Sequence, residues 1–349
     1  MKKSLTMLAM ATVMCVSCDK EKAISAFHYN DEKFADIEML RYEVKGFNEL
    51  TLDQKKLVYY LQEAALYGRD ILFDQNGRHN LVIRKMLETV YTDYQGDKTT
   101  DEWNAFVTYT KRVWFSSGIH HHYSADKFVP GFSEDFFRKA LASVDSAKLP
   151  LAEGQTLAEL CDEVFPAIFD PAVMPKRVNQ ADGEDLVLTS ASNYYDGVTQ
   201  AEAEMFYNNL KDPKDETPVM YGMNSRLVKE NGKLIEKVWH TEGLYGEALS
   251  KVVFWLEKAL TVAENDEQRT VIEKLIKYYH SGSLEDFDDY CIAWVDDLDS
   301  RIDFVNGFTE SYGDPLGMKA SWESIVNFKD IEATNTHTRI LPAKNQRYT

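Results

Sequence analysis

Gly307-Phe308-Thr309-Glu310-Ser311-Tyr312-Gly313-Asp314-Pro315 is a short aromatic run closed by Gly, Asp and Pro. Its apolar first half reads as a β-strand, and its last residues as a turn that stops it. Side chains at i and i+2 of a strand share a face. Glu310 and Tyr312 are therefore expected side by side, about 7 Å apart, with Ser311 facing the other way. A carboxylate and a phenol placed so can hold an ammonium group with one member and an oxyanion with the other. A half-exposed surface pair gives the same pattern, so these residues alone leave both readings open.

Outward from this segment the chain is mostly helical. Thr51-Leu52-Asp53-Gln54 has the spacing of a capping box, followed at helical period by Leu57, Tyr60, Leu61 and Ala64, with Asn76-Gly77 as the stop. Further helices are predicted over Leu81 to Tyr94 and Glu102 to Trp114, then a loop from Ser116 to Pro130. A second capping box, Thr199-Gln200-Ala201-Glu202, opens another helix. Asn231-Gly232 between Arg226–Glu230 and Lys233–Trp239 predicts a tight hairpin with Glu230 beside Lys233, because both turn residues tolerate positive φ. Leu249, Val252, Val253, Leu256 and Leu260 form a helical stripe. Val271, Leu275 and Ile276 make a second, and Leu284, Phe287, Cys291 and Trp294 a third. Short links make these helices antiparallel neighbours. A strand near Ile325 to Phe328 follows the quoted run. The class is α+β, a predominantly helical lobe around a few antiparallel strands.

The 349 residues carry a net charge of −18, which excludes nucleic acid as the natural partner. The hydrophobic fraction of 44% supplies a full core. Lys2 and Lys3, the apolar stretch Leu5 to Val16 and then Val16-Ser17-Cys18 read as a lipoprotein export signal, although Cys15 stands where Leu is usual. Cys18 is the expected lipidation site, and the lipid the only expected tie to a membrane. The chain is thus expected to be exported, periplasmic or membrane-anchored. Cys161 and Cys291 are too few and too far apart for a disulfide framework, and Cys291 reads as a buried apolar thiol. The tract His120-His121-His122 cannot easily converge on one ion, since consecutive extended side chains alternate; it reads as a polar loop bordering a cleft. The acidic residues from Glu285 to Asp303 lack the central Gly and terminal Glu of a calcium loop and read as a solvated helix face.

Several segments carry a family likeness in a fixed order. They are Tyr59 to Gly68, Ser117-Gly118-Ile119 leading to Asp126 to Pro130, Asn193 to Thr199, Asn224 to Leu227 and Gly307 to Pro315. From about Leu50 onward the chain resembles the dipeptidyl peptidase III family, zinc exopeptidases that remove dipeptides from peptide N-termini. The resemblance implies a helical lower lobe around a small β-barrel. It also implies that Glu310 pairs with the peptide's α-ammonium, that Ser311 belongs to the same substrate-binding strand, and that Tyr312 is catalytic, donating to the oxyanion. One departure is informative. The family's His-Glu-x-x-x-His zinc helix has no counterpart, since none of the 8 histidines is followed by Glu. The chain is therefore expected to be the N-terminal, substrate-binding part of a zinc-dependent dipeptidyl aminopeptidase, inactive alone. It is expected to bind no zinc itself and to act on short peptides with a free N-terminus, its partner being the absent zinc-bearing lobe. The expected layout is signal 1–18, polar tether 19–35, substrate lobe 36–335 and the start of the zinc lobe 336–349. A non-catalytic peptide-binding or purely structural lipoprotein is the alternative.

Overall fold

The structure, a computed structural model, describes residues 27–340, with side chains to residue 336. The export signal and Cys18 lie outside the described residues. Of the described residues, those up to Val44 form one compact unit and those from Lys45 a second. In the first, β1 (Asn30–Phe34) and β2 (Ile37–Leu40) pair as an antiparallel hairpin. The polar tether expected through residue 35 is thus a strand in its last part. Ala35, at φ 50°, makes the tight turn, and Phe34 and Ile37 give the hairpin a buried side.

The second unit begins with α1 (Leu52–Tyr67), whose capping box forms as predicted: Thr51 Oγ1 accepts from the Gln54 N–H, and Gln54 Oε1 from the Thr51 N–H. The helix does not run on to Asn76. It breaks at Gly68, and α2 (Arg69–Gln75) sets off afresh to end at Asn76. Glycine is required at the break for a reason distant in sequence: a Cβ there would lie 1.6 Å from the Trp322 indole, which occupies that space.

Helices α3 (Asn80–Asp93), α4 (Asp101–Phe115), α5 (Glu134–Ala142) and α6 (Leu157–Phe169) bury one core, in which Phe106, Phe132, Phe137 and Phe165 meet ring to ring. Cys161 is buried here. Then come β3 (Tyr195–Asp196), α7 (Gln200–Asn208), β4 (Ser225–Glu230) and β5 (Lys233–Val238). The Asn-Gly turn has both residues at positive φ, 50° and 77°, and Glu230 stands opposite Lys233 as expected.

The predicted stripes form α8 (Gly246–Leu260), α9 (Asp266–Ser281) and α10 (Leu284–Asp296), packing with α1 around the second core. The acidic face of α10 is solvated, with Asp286 paired to Lys277 and Asp289 to Lys274. Cys291 is half-buried against the core, and burial pushes its thiol up to about 11.

The chain closes with β6 (Ile302–Glu310), β7 (Ser321–Phe328) and α11 (Ile331–Ile340). Asp330 precedes the last helix, and its carboxylate accepts from the Ala333 N–H. The class is α+β, but among the described residues no sheet closes into the expected barrel. β6–β7 and β3–β4–β5 are separate sheets, met by the Ala320 N–H to Met223 carbonyl bond rather than by a ladder. Among the described residues no helix is long and apolar enough to cross a membrane.

Candidate functional site

The β6–β7 hairpin shapes the site. Ile302, Phe304, Asn306 and Phe308 point inward at strict alternation, which would send Glu310 into the core as well. A bulge between Phe308 and Glu310 prevents that. Phe308 pairs with Trp322, but Glu310 rather than Thr309 pairs with Ser321, so the extra residue turns Glu310 outward. Thr309 and Glu310 are both exposed. Glu323, opposite Gly307 on the same outer face, is half-buried. Its carboxyl is pushed up by burial and by the nearby charge of Glu310. Two carboxylates near one another are a natural seat for a cation.

The strand ends at Glu310, so alternation does not place Tyr312. Residues 311–314 instead form a turn closed by the Asp314 N–H to the Ser311 carbonyl, 3.1 Å, and Tyr312 projects from it with 86% of its surface exposed. Gly313 is required there: a Cβ would come within 2.6 Å of Ser321 Oγ and 2.9 Å of Tyr194 Oη. Ser311 is half-buried, and its backbone carbonyl accepts from the Asp314 N–H.

Buried charges fasten the turn from behind. Asp314 accepts from the Leu316, Met318 and Lys319 N–H groups and from the Tyr195 hydroxyl, at 2.8–3.3 Å. Burial pushes its carboxyl up, and the three N–H groups and the Lys319 charge pull it partly back. Lys319, with no exposed surface, donates to Tyr207 Oη, the Gly222 carbonyl and Ser225 Oγ. The Tyr207 and Ser225 hydroxyls in turn donate to Glu236, so two hydroxyls bridge the buried ammonium to a carboxylate. Burial lowers the Lys319 ammonium to about 8.

Three of the other segments that carry the family likeness meet around this hairpin. Gly68 admits Trp322; Tyr194 bonds Ser321 and Tyr195 bonds Asp314; Ser225 receives Lys319; and Arg226 pairs with Asp74 while holding the Asn193 carbonyl. Gln75 ties α2 to β7, donating to the Ala320 carbonyl and accepting from the Trp322 N–H.

Tyr312 borders a cleft of about 680 Å³ whose other walls are residues 122–125 and 176–181. Gln180 donates to the Pro315 carbonyl, 3.0 Å, joining one wall to the Tyr312 turn. The histidine tract borders this cleft as expected, through His122. His120 is buried and its Nε2 meets the Met174 carbonyl at 2.8 Å, while His121 Nδ1 accepts from the Tyr123 and Ser124 N–H groups. Among the described residues no group of three His, Cys, Asp or Glu side chains could hold a metal ion.

Burial depresses His120 from 6.5 to about 4. Its folded value lies below its unfolded one, so its contribution to stability is full above 6.5 and is lost as pH falls toward 4. The loss amounts to about 3 kcal/mol. Denaturant midpoints at pH 7 and 4.5 should therefore differ less in His120→Asn than in the unaltered protein. An unchanged difference would show that His120 does not govern that slope.

Sequence reasoning named Glu310, Ser311 and Tyr312. It missed Glu323, Asp314, Lys319 and Arg177, whose positions depend on pairing and packing; only Asp314 carried a signal, as part of a turn.

The chain matches the model of peptidase family M49 over residues 173–347. It is 24% identical over 322 residues to dipeptidyl peptidase 3 of Dictyostelium discoideum, covering 82% of this chain and 43% of that protein. It is 22% identical over 345 residues to dipeptidyl peptidase 3 of Homo sapiens, covering 86% and 45%. Among solved structures it is similar to DPP III from Caldithrix abyssi, with a TM-score of 0.55 and 18% identity over 85% of this chain and 43% of that one; the likeness is one of fold. The chain spans less than half the length of the curated relatives it matches.

Proposed function

The chain belongs to peptidase family M49, and from that premise we propose that it is the substrate-binding part of a dipeptidyl peptidase, holding short peptides by their N-termini. The observation that carries this reading is the bulge that turns Glu310 outward beside Glu323. The α-ammonium of a peptide docks against this carboxylate pair, with Glu310 as its anchor. Among the described residues β6 pairs with β7 alone, so its other edge near Glu310 is where an extended peptide adds backbone hydrogen bonds alongside Ser311. Fixing the N-terminus fixes which peptide bond comes to Tyr312, whose exposed hydroxyl donates to the carbonyl oxygen as it gains charge.

The zinc that the resemblance implies finds no donor set here. Among the described residues no suitable cluster exists, and His120 and His121 are engaged with backbone. We assign hydrolysis to the zinc-bearing lobe that the resemblance implies, and no step is derived through the metal. The same observation favours a second reading, in which this chain captures peptides without cleaving them. Lipidation at Cys18 and export belong to both.

Titration calorimetry with a free tripeptide and its N-acetyl form tests the anchor. Glu310→Gln should weaken the free tripeptide by about 1.5–3 kcal/mol, roughly tenfold to a hundredfold. It should leave the acetylated peptide unchanged. Equal losses for both would remove Glu310 from the role.

A further inference from the structure

Arg177 stands in the wall of the Tyr312 cleft with no counter-ion among the described residues. Its guanidinium rests on two neutral acceptors: Nη1 donates to Asn76 Oδ1 and Nη2 to the His122 carbonyl, both at 3.2 Å. Nε is buried and donates to nothing. Burial lowers its pKa, opposed by Tyr194 and by no carboxylate among the described residues. The neighbouring cation behaves differently, since Lys176 is paired with Asp126. So is Arg226, paired with Asp74. In a chain with 57 Asp and Glu against 39 Lys and Arg, a largely buried arginine left unneutralised is unusual. Buried charges are ordinarily paired, and a cleft that holds one unpaired is built to receive the opposite charge.

We propose that the Tyr312 cleft takes a carboxylate of the bound peptide through Arg177. The inference rests on the peptide-binding reading and adds a second anchor to it. Asn76 and His122 hold both terminal nitrogens of the planar guanidinium in place, and each of those nitrogens keeps a second N–H, a fixed fork suited to a carboxylate. The wall is also held in register with Tyr312: the Arg177 N–H bonds the Ala125 carbonyl, its own carbonyl accepts from Ser192, and Gln180 reaches Pro315. The site thus carries both signs of charge, Glu310 and Glu323 on the hairpin and Arg177 in the cleft that Tyr312 borders. A short peptide is a zwitterion with the matching polarity. The carboxylate is either the peptide's C-terminus or an acidic side chain, and both present the same group.

The test uses the intact chain and three probes: Ala-Ala-Ala, Ala-Ala-Ala-amide and Ala-Ala-Glu-amide. The free acid should bind about tenfold or more tightly than the amide. Arg177→Gln should abolish that ratio, and Arg177→Lys should retain part of it. Recovery of affinity by Ala-Ala-Glu-amide would assign the site to an acidic side chain, and no recovery to the C-terminus. Equal binding of all three to the unaltered chain overturns the proposal, a comparison that needs no substituted protein to fold. So does a ratio that survives in Arg177→Gln with an unchanged melting temperature. N-acetylated probes separate the two anchors: binding that responds to acetylation and not to amidation removes Arg177 and leaves Glu310. Failure of every probe to bind at millimolar concentration removes both.

Discussion

Gly68→Ala lowers the stability of the folded chain by about 3–5 kcal/mol, as much as emptying an aromatic slot in a core. The added methyl carbon would lie 1.6 Å from Trp322 Cε2 and 2.0 Å from both Cζ2 and Nε1. Backbone strain contributes nothing, since alanine adopts the φ of −81° found at Gly68 without difficulty. The indole has no room to withdraw: it packs edge-on to Phe308 at 5.5 Å and is stacked against Tyr279 at 6.2 Å. It must therefore leave its slot, or α1 and α2 must part from β7. Urea unfolding reads the loss. Trp322→Leu alone should cost a comparable amount, and the double substitution much less than the sum, because both remove the same packing. A loss below about 1 kcal/mol for Gly68→Ala would mean that Trp322 has another resting place.

Asp314→Asn comes next, at about 3–5 kcal/mol, the range for stripping one member from a buried charged network. The carboxylate collects four donors. An amide brings an NH₂ group into that set, so at least one donor faces another and is left buried without an acceptor. It also removes the negative charge that helps keep Lys319 protonated. The ammonium of Lys319 is held at about 8 against an unfolded 10.5, so its buried charge is a cost below pH 8 that is relieved as pH rises through that interval. Denaturation near neutral pH should show the full loss. A loss under about 1 kcal/mol would show that the loop does not depend on Asp314.

What could be read from the sequence was what is decided locally. Thr51 and Thr199 cap helices through residues three positions on, and Asn231-Gly232 fixes its own hairpin. The stripes of α8 to α10 follow from helical period. The candidate site was legible in identity and not in geometry. Glu310 points outward only because β7 is one residue out of step with β6, and no pattern within 307–315 records the partner's register. Tyr312 left the strand because Asp314 is drawn back by Leu316, Met318, Lys319 and a tyrosine from a different sheet. Glu323 entered only as the cross-strand companion of Glu310, and Arg177 only because two loops fold against each other. Gly68 looks like an ordinary helix residue until Trp322 arrives.

Apart from Gln180 in the cleft wall, the anchoring of residues 311–319 is supplied by buried groups behind the loop, Asp314 and Lys319 among them. The polar groups that hold this loop are satisfied by the fold itself, so its shape is set before any guest arrives. Ordering that most recognition loops undergo on contact has here been completed during folding, and the entropy it consumes is not subtracted from affinity. Tyr312 stands at the front of that rigid mount as its most freely rotating part, a single side chain able to adjust on a base that does not.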